Sequence, residues 1–455
     1  MVGTEMSPLA RVGRLGDALA GLAARLQERG HEVSVILPLY RLIRERYRPG
    51  PTGVTVNVAL DHREAEAAVH EWSTPEGVQV FLIRRDAYFD RTGIYGANGH
   101  DAYDDNLERF TFFARAAVKL ILHLDPQPEV LHLHDWPTAL IPALVRARGL
   151  PFPTVLSIHD AAFQGIGPAA DFSFTHLPWE WFGPGGFEYH GMVNLLKGGV
   201  AAADRVAVCG ALTPQRLQRP EGGHGLDGFF RAHARKLVGV PEGLEPLEPA
   251  PAGQTKGEAR AALLEEYGLS AAPAGPVLLD AGNGARPPLA DRLLSADIRV
   301  LATGGADATG EAALQRAWQV ALRRHRGKIA LVEGWTPSLL RGVDAVVFPG
   351  EPEEALLIAA LRAGVVPVVR ATPGVYSLVR GQGGAGEEAV LFHDDTPEAF
   401  ADALKRMLRL FGEESRWAAM ATKAAQQAAE DFSHEAMAAR YELLYRSVAQ
   451  TLPVS

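Results

Sequence analysis

Apolar positions along the chain follow two rhythms, the helical stripe of an element packed on a core and the unbroken run of a strand covered on both faces. In "GDALAGLAARLQERGHEVSVILPLY", Leu19, Leu22 and Leu26 recur at helical spacing, Gly30 closes the stripe, and "VSVILPLY" reads as a strand. The order repeats. "NLERFTFFARAAVKLILHL" predicts a helix, "PEVLHLHDW" a short strand, "TALIPALVRARGL" a helix and "TVLSIHD" a strand. Strands and helices in alternation predict a parallel sheet with helices on its faces.

A second series starts near residue 275 with "GPVLLDAG", "IRVLATGG", "IALVEGW" and "AVVFPG". Between the series, "VPEGLEPLEPAPAGQTKG" is rich in Pro, Gly and Glu and reads as a connector with a boundary near residue 250. The chain closes in a long helical region interrupted near Gly412 and Phe432-Ser433. Its 455 residues exceed what one hydrophobic core supports, about 250 to 300 residues, so two or three domains are expected. Ligands of open parallel sheets bind beyond the carboxyl ends of the strands. That singles out "HLHDW" (132–136), "IHDAAFQG" (158–165), "ATGGAD" (302–307) and "FPGEPEE" (348–354).

Composition narrows the classes. With 47% hydrophobic and 22% charged residues, the chain has the balance of a globular protein. A net charge of -9 argues against a nucleic-acid binder. Cys209 is the single cysteine, which excludes an intrachain disulfide and a thiolate metal cluster. No run of about 18 apolar residues and no apolar signal core occurs, so a cytoplasmic protein with no membrane partner is expected.

Several constellations have a chemical and a plain reading. Gly13 and Gly16, with Arg11 and Arg14 beside them, precede a helix; such a loop can present N–H groups and guanidinium groups to a phosphate, and an ordinary turn carries the same residues. His132 and His134 share a strand face, as metal ligands or as core polar residues. Trp136 suits stacking on a sugar or packing in a core. Glu351, Glu353 and Glu354 offer acid/base carboxylates or a helix's acidic first turn.

Taken together, the segments resemble the bacterial glycogen synthase and plant starch synthase family, retaining glycosyltransferases with two Rossmann-like α/β domains facing a cleft, the GT-B architecture. "SPLARVGRLGDALAGLAARLQERGHEVSVILPLY" is similar to the family's opening, and "GIYGANGHDAYDDNLERFTFF", "VLHLHDWPTALIPAL", "TVLSIHDAAFQG", "LPWEWFGPGGFEYHGMVNLLKGGVAAADRV" and "EGGHGLDGFFRAHARKLVGVPEGLE" follow in the family's order. The resemblance implies that an α-1,4-glucan such as glycogen is lengthened with glucose from a nucleotide sugar, usually ADP-glucose, with retained configuration. It implies His159 and Glu351 as catalytic residues, His159 contacting the transferred glucose. It implies Arg11, Gly13, Asp17 and Arg286 on the donor side, and Tyr95, Asp135 and Trp136 by the acceptor. No metal or other cofactor is expected. The implied domains are 1–250 (acceptor side), 251–430 (donor side) and a helix at 431–455 packing back on the first domain.

The donor side departs from the family pattern. Lys-Thr-Gly-Gly is replaced by Arg11-Val12-Gly13-Arg14, and Asp280 or Ala281 stands at a phosphate-facing Arg, leaving Arg286 to replace the following Lys. In the Glu-Pro-Cys-Gly-Leu-Thr-Gln loop, Glu351 and Pro352 are kept but Cys-Gly becomes Glu353-Glu354, and the preceding loop is shorter. Asn-Gly-Ile-Asp becomes Glu242-Gly243-Leu244-Glu245. Only "MVGTEM" precedes Ser7, so a short first strand or a late start is expected. Two alternatives remain open: a catalytically weak or inactive homologue that binds glucan or regulates a true synthase, and a GT-B enzyme with another donor.

Overall fold

The computed structural model describes residues 1–60, 63–97, 102–241, 243, 254–272, 275–282, 297–303, 312–379 and 388–450. The chain divides into two compact units, Met1–Gly243 with His434–Ser455, and Leu244–Ser433. Both are α/β with parallel sheets, the fold class that the alternation predicted.

In the first unit the strands Leu131–His134, Thr154–Ile158, Arg205–Cys209 and Leu237–Val240 lie side by side in parallel. Val155, Leu156, Val206, Ala207 and Val208 are fully buried, as unbroken apolar runs require when helices cover both faces. A second set begins with Ser34–Pro38, parallel to Gln79–Arg84. Val2 joins the two sets through isolated bridges to Leu133 and Ile36, so a single residue fills the place of an opening strand.

The antiparallel strands Gly50–Leu60 and Arg63–Ser73 extend this sheet and were not expected from the helix–strand alternation. Their signal is period two: Val56 and Val58 are buried while Thr55 and Asn57 are exposed, the pattern of a strand covered on one face.

The second unit is a six-stranded parallel sheet. From one edge its strands are Ile329–Val332, Arg299–Thr303, Val277–Asp280, Ala345–Val347, Val366–Arg370 and Val390–Phe392. The order reverses between Val277–Asp280 and Ala345–Val347, which opens a crevice at the strand ends.

The closing helical region breaks where Gly412 and Phe432-Ser433 indicated, into Pro397–Gly412, Glu414–Asp431 and His434–Ala449. The last helix belongs to the first unit and lies close against Leu15–Glu28. A Cβ on Gly21 would sit 2.9 Å from the His434 ring, so a small residue permits the approach. Leu19, Leu22 and Leu26 are buried on that helix as their spacing predicted.

Glu442 fastens the helix. It accepts from Arg29 Nε at 2.6 Å and Arg29 Nη2 at 2.8 Å, and lies 2.9 Å from His31 Nε2. Hydrogen bonds from Arg29, followed by His31, lower its pKa from 4.5 to about 2. A lowered folded pKa stabilises at pH values above the unfolded pKa and loses that contribution as pH falls toward the folded value. Thermal melts of Glu442→Gln are therefore expected to fall below wild type near neutrality, with the gap closing between pH 4.5 and about 2. A gap unchanged by acid would contradict this anchor.

Candidate active site

At the carboxyl ends of Leu131–His134 and Thr154–Ile158, alternate side chains are polar and enter a region where water is largely excluded. His132, His134 and Ser157 are almost completely buried. His132 Nδ1 lies 2.7 Å from the Tyr445 hydroxyl and its Nε2 2.7 Å from Ser157 Oγ, which is 2.9 Å from the Tyr441 hydroxyl. Both nitrogens of His132 are thus engaged within the core, which favours the polar-core reading of this residue over a metal ligand. The rings of His132 and His134 are 4.1 Å apart, as residues sharing a strand face should be. Burial, reinforced by the N-terminal ammonium and neighbouring histidines, pushes both pKa values well below the usual value and keeps them neutral.

Asp135 ends the first strand at φ 60° and ψ −179°, a conformation that costs a non-glycine residue about 1 to 3 kcal/mol. The surroundings hold it there: its N–H donates to Ser157 O at 2.8 Å, and its carbonyl accepts from Thr138 N and Thr138 Oγ1, each at 3.1 Å. In this conformation Asp135 Oδ1 accepts the backbone N–H of His159 at 2.7 Å. The strained residue therefore fixes where His159 leaves its strand.

His159 is half-buried. Its Nε2 is 3.1 Å from His134 Nδ1, its Nδ1 is 3.1 Å from Cys209 Sγ, and its ring stacks on His134 at 5.4 Å. Burial raises the Asp135 carboxyl from 3.8 to about 7, against the opposing pull of the His159 and Asp160 N–H groups.

Trp136 packs edge-to-face on Phe110 at 5.1 Å, and a Cβ on Gly165 would lie 2.3 Å from its ring, so glycine at φ 63° is needed there. Tyr95 also packs on Phe110, at 5.9 Å. Its hydroxyl is 2.8 Å from Thr4 Oγ1 and donates to Glu5 Oε1 at 2.9 Å, and burial raises its pKa well above 10.

Glu5 is the residue that sequence reasoning passed over. It is 3% exposed, and its Oε2 accepts the N–H groups of Val12 at 2.6 Å and Gly13 at 2.9 Å. The loop N–H groups read as phosphate donors are thus gathered around a carboxylate. The signal was a lone acidic residue in the short apolar run before the loop. Arg11 pairs with Asp17 at 2.8 Å, and Ser7 Oγ donates to Asp17 at 2.5 Å, both on the exposed side of this loop.

The remaining candidates belong to the second unit. Glu351 is exposed and precedes the buried Pro352, and Glu353 opens the helix Glu354–Arg362. Beside them a cavity of about 300 Å³ is lined by Ala281, Thr303, Glu333, Gly334, Trp335, Glu353 and Leu356. Burial raises Asp280, at the end of its strand, from 3.8 to about 6. Arg286 lies outside the described residues. The structure therefore has Tyr95, Asp135, Trp136 and His159 in the first unit, places Arg11 and Gly13 on its glycine loop and Asp17 in the first turn of the helix that follows, and leaves Glu351 in the second.

The family described as starch synthase catalytic domain matches residues 1–232. A glycogen synthase of Anaeromyxobacter dehalogenans (strain 2CP-1 / ATCC BAA-258) is 33% identical across 98% of each chain, and one of Opitutus terrae is 32% identical across 98% of each. The chain belongs to the starch and glycogen synthase family. The catalytic domain of starch synthase IV from Arabidopsis thaliana, solved bound to ADP and acarbose, shares the fold at a TM-score of 0.67 and 23% identity, covering 99% of this chain and 98% of that one. This member of the synthase family is accordingly a glycosyltransferase of GT-B type. Among the described residues no helix is long and apolar enough to cross a membrane. The family match spans every first-unit candidate from Glu5 to His159.

The raised pKa of Asp135 has a measurable consequence in this synthase-family chain. A carboxyl that binds its proton more tightly folded than unfolded opposes folding once pH exceeds its unfolded value, most fully above its folded value. Asp135→Asn keeps an acceptor for the N–H of His159 and removes that cost, so it is expected to melt higher than wild type at mildly alkaline pH, the gain shrinking toward the ordinary carboxylate range. An unchanged or lower melting temperature at alkaline pH would contradict burial as the dominant influence on Asp135.

Proposed function

We propose that the protein transfers glucose from ADP-glucose to the end of an α-1,4-glucan with retained anomeric configuration. The observation that carries this reading is the family match over residues 1–232, which includes the strand ends that fix His159 and Asp135. The full-length similarity to proteins named glycogen synthase supports glycogen as the acceptor.

In this reading His159 meets the transferred glucose, held at its backbone by Asp135. Trp136, Tyr95 and Asp135 line the acceptor side. The barrier lies in separating an oxocarbenium-like sugar from a departing diphosphate, so preplaced dipoles and cations aimed at the leaving group lower it most. Arg11, Gly13 and Arg286 are the donor-side candidates, with Glu351 at the second unit's crevice edge and Asp17 orienting Arg11 through their ion pair. Side-chain cations serve where other transferases use a metal, and none is proposed here.

A second reading, a homologue that binds glucan but transfers poorly, is supported by a specific observation. The second unit's cavity is lined by Glu333 and Glu353, carboxylates that disfavour a diphosphate.

Incubating the protein with glycogen and radiolabelled ADP-glucose, with ADP binding followed by calorimetry, separates the readings. Incorporation is expected, lowered at least about 100-fold by His159→Ala and insensitive to EDTA. Glucan binding without incorporation or ADP binding would sink the first reading, and activity lost to EDTA and restored by a divalent ion would overturn the metal-free mechanism.

A further inference from the structure

The strand Arg205–Cys209 runs parallel to Thr154–Ile158 with Val208 opposite Ile158. One residue on, that register sets Cys209 beside His159 on the same face, and the Cys209 Sγ lies 3.1 Å from His159 Nδ1. The other ring nitrogen, Nε2, lies 3.1 Å from His134 Nδ1. Both edges of the imidazole are therefore held.

Proton placement along this line follows from one buried atom. His134 Nε2 is buried with no hydrogen-bond partner among the described residues. A buried N–H without an acceptor is rarer and costlier than an unused acceptor, so neutral His134 carries its proton on Nδ1. It then donates to His159 Nε2, leaving the His159 proton on Nδ1, directed at Cys209 Sγ.

We propose that Cys209 is a positioning residue for His159: with His134 on the opposite edge, the thiol sulfur fixes the plane and tautomer of the His159 ring. The kinetic part rests on the glucosyl-transfer reading, whereas the clamp itself does not.

Because Cys209 is the single cysteine, alkylation by iodoacetamide reports on this thiol alone. The His159 N–H favours the thiolate, so His159→Phe, which keeps the ring but has no donor, is expected to slow alkylation at neutral pH by about 3-fold or more. Equal rates in wild type and His159→Phe would overturn the clamp, whether or not the protein is active. In the glycogen assay, Cys209→Ala is expected to lower kcat by about 3- to 10-fold, with thermal stability recorded in parallel, and Cys209→Ser to recover most of the loss by restoring an acceptor. Wild-type kcat in Cys209→Ala, or equal losses in the Ala and Ser variants, would overturn the positioning role. A wild-type protein without incorporation would instead count against the glucosyl-transfer reading, leaving alkylation to decide the clamp.

Discussion

Polar groups buried where parallel strands end must find their hydrogen-bond partners inside the protein, and that constraint organises the first unit. Two adjacent strands finish in His132-Leu133-His134-Asp135 and Ser157-Ile158-His159, all beneath helices that the apolar runs upstream demand. An unpartnered polar group there costs about 1 to 3 kcal/mol, so the fold supplies partners from several directions. Tyr441 and Tyr445 come from the last helix, Cys209 from the neighbouring strand and Asp135 from a strained turn. The C-terminal helix thus completes the polar core as well as covering the sheet.

This constraint also explains which features could be read from the sequence. Alternating helices and strands and the breaks at Gly412 and Phe432-Ser433 are set by local patterns, and they emerged without tertiary knowledge; most of the Pro- and Glu-rich connector lies outside the described residues. His159 stood out because a buried strand ended on it. The partners of His132 and Ser157 did not, since Tyr441 lies 284 positions from Ser157 and Tyr445 lies 313 from His132. Asp135 is expected beside the acceptor, and its carboxyl also receives the His159 N–H, a role visible only once the two strands are in register. Glu5 escaped notice because an isolated acidic residue has no periodicity, and its bonds to Val12 and Gly13 depend on how the loop folds back.

The second unit carries a different balance. Its strand order gives the crevice expected of a doubly wound sheet. The cavity near that crevice presents Glu333 and Glu353, and Asp280 closes the strand beside it. The second unit thus presents carboxylates at its crevice, while the first unit keeps a tightly determined polar core around His159. Fold and site respond to separate demands: the sheet needs buried apolar runs, whereas donor chemistry needs a few cations on its loops.

The central claim is that His159 is held in one orientation and one tautomer by groups on both edges of its ring. Long-range proton–nitrogen correlation spectra of histidine-labelled protein observe this directly. The account predicts a neutral His159 protonated at Nδ1, with a neutral His134 protonated at Nδ1 beside it. A His159 protonated at Nε2, or averaging between the two tautomers, would contradict it.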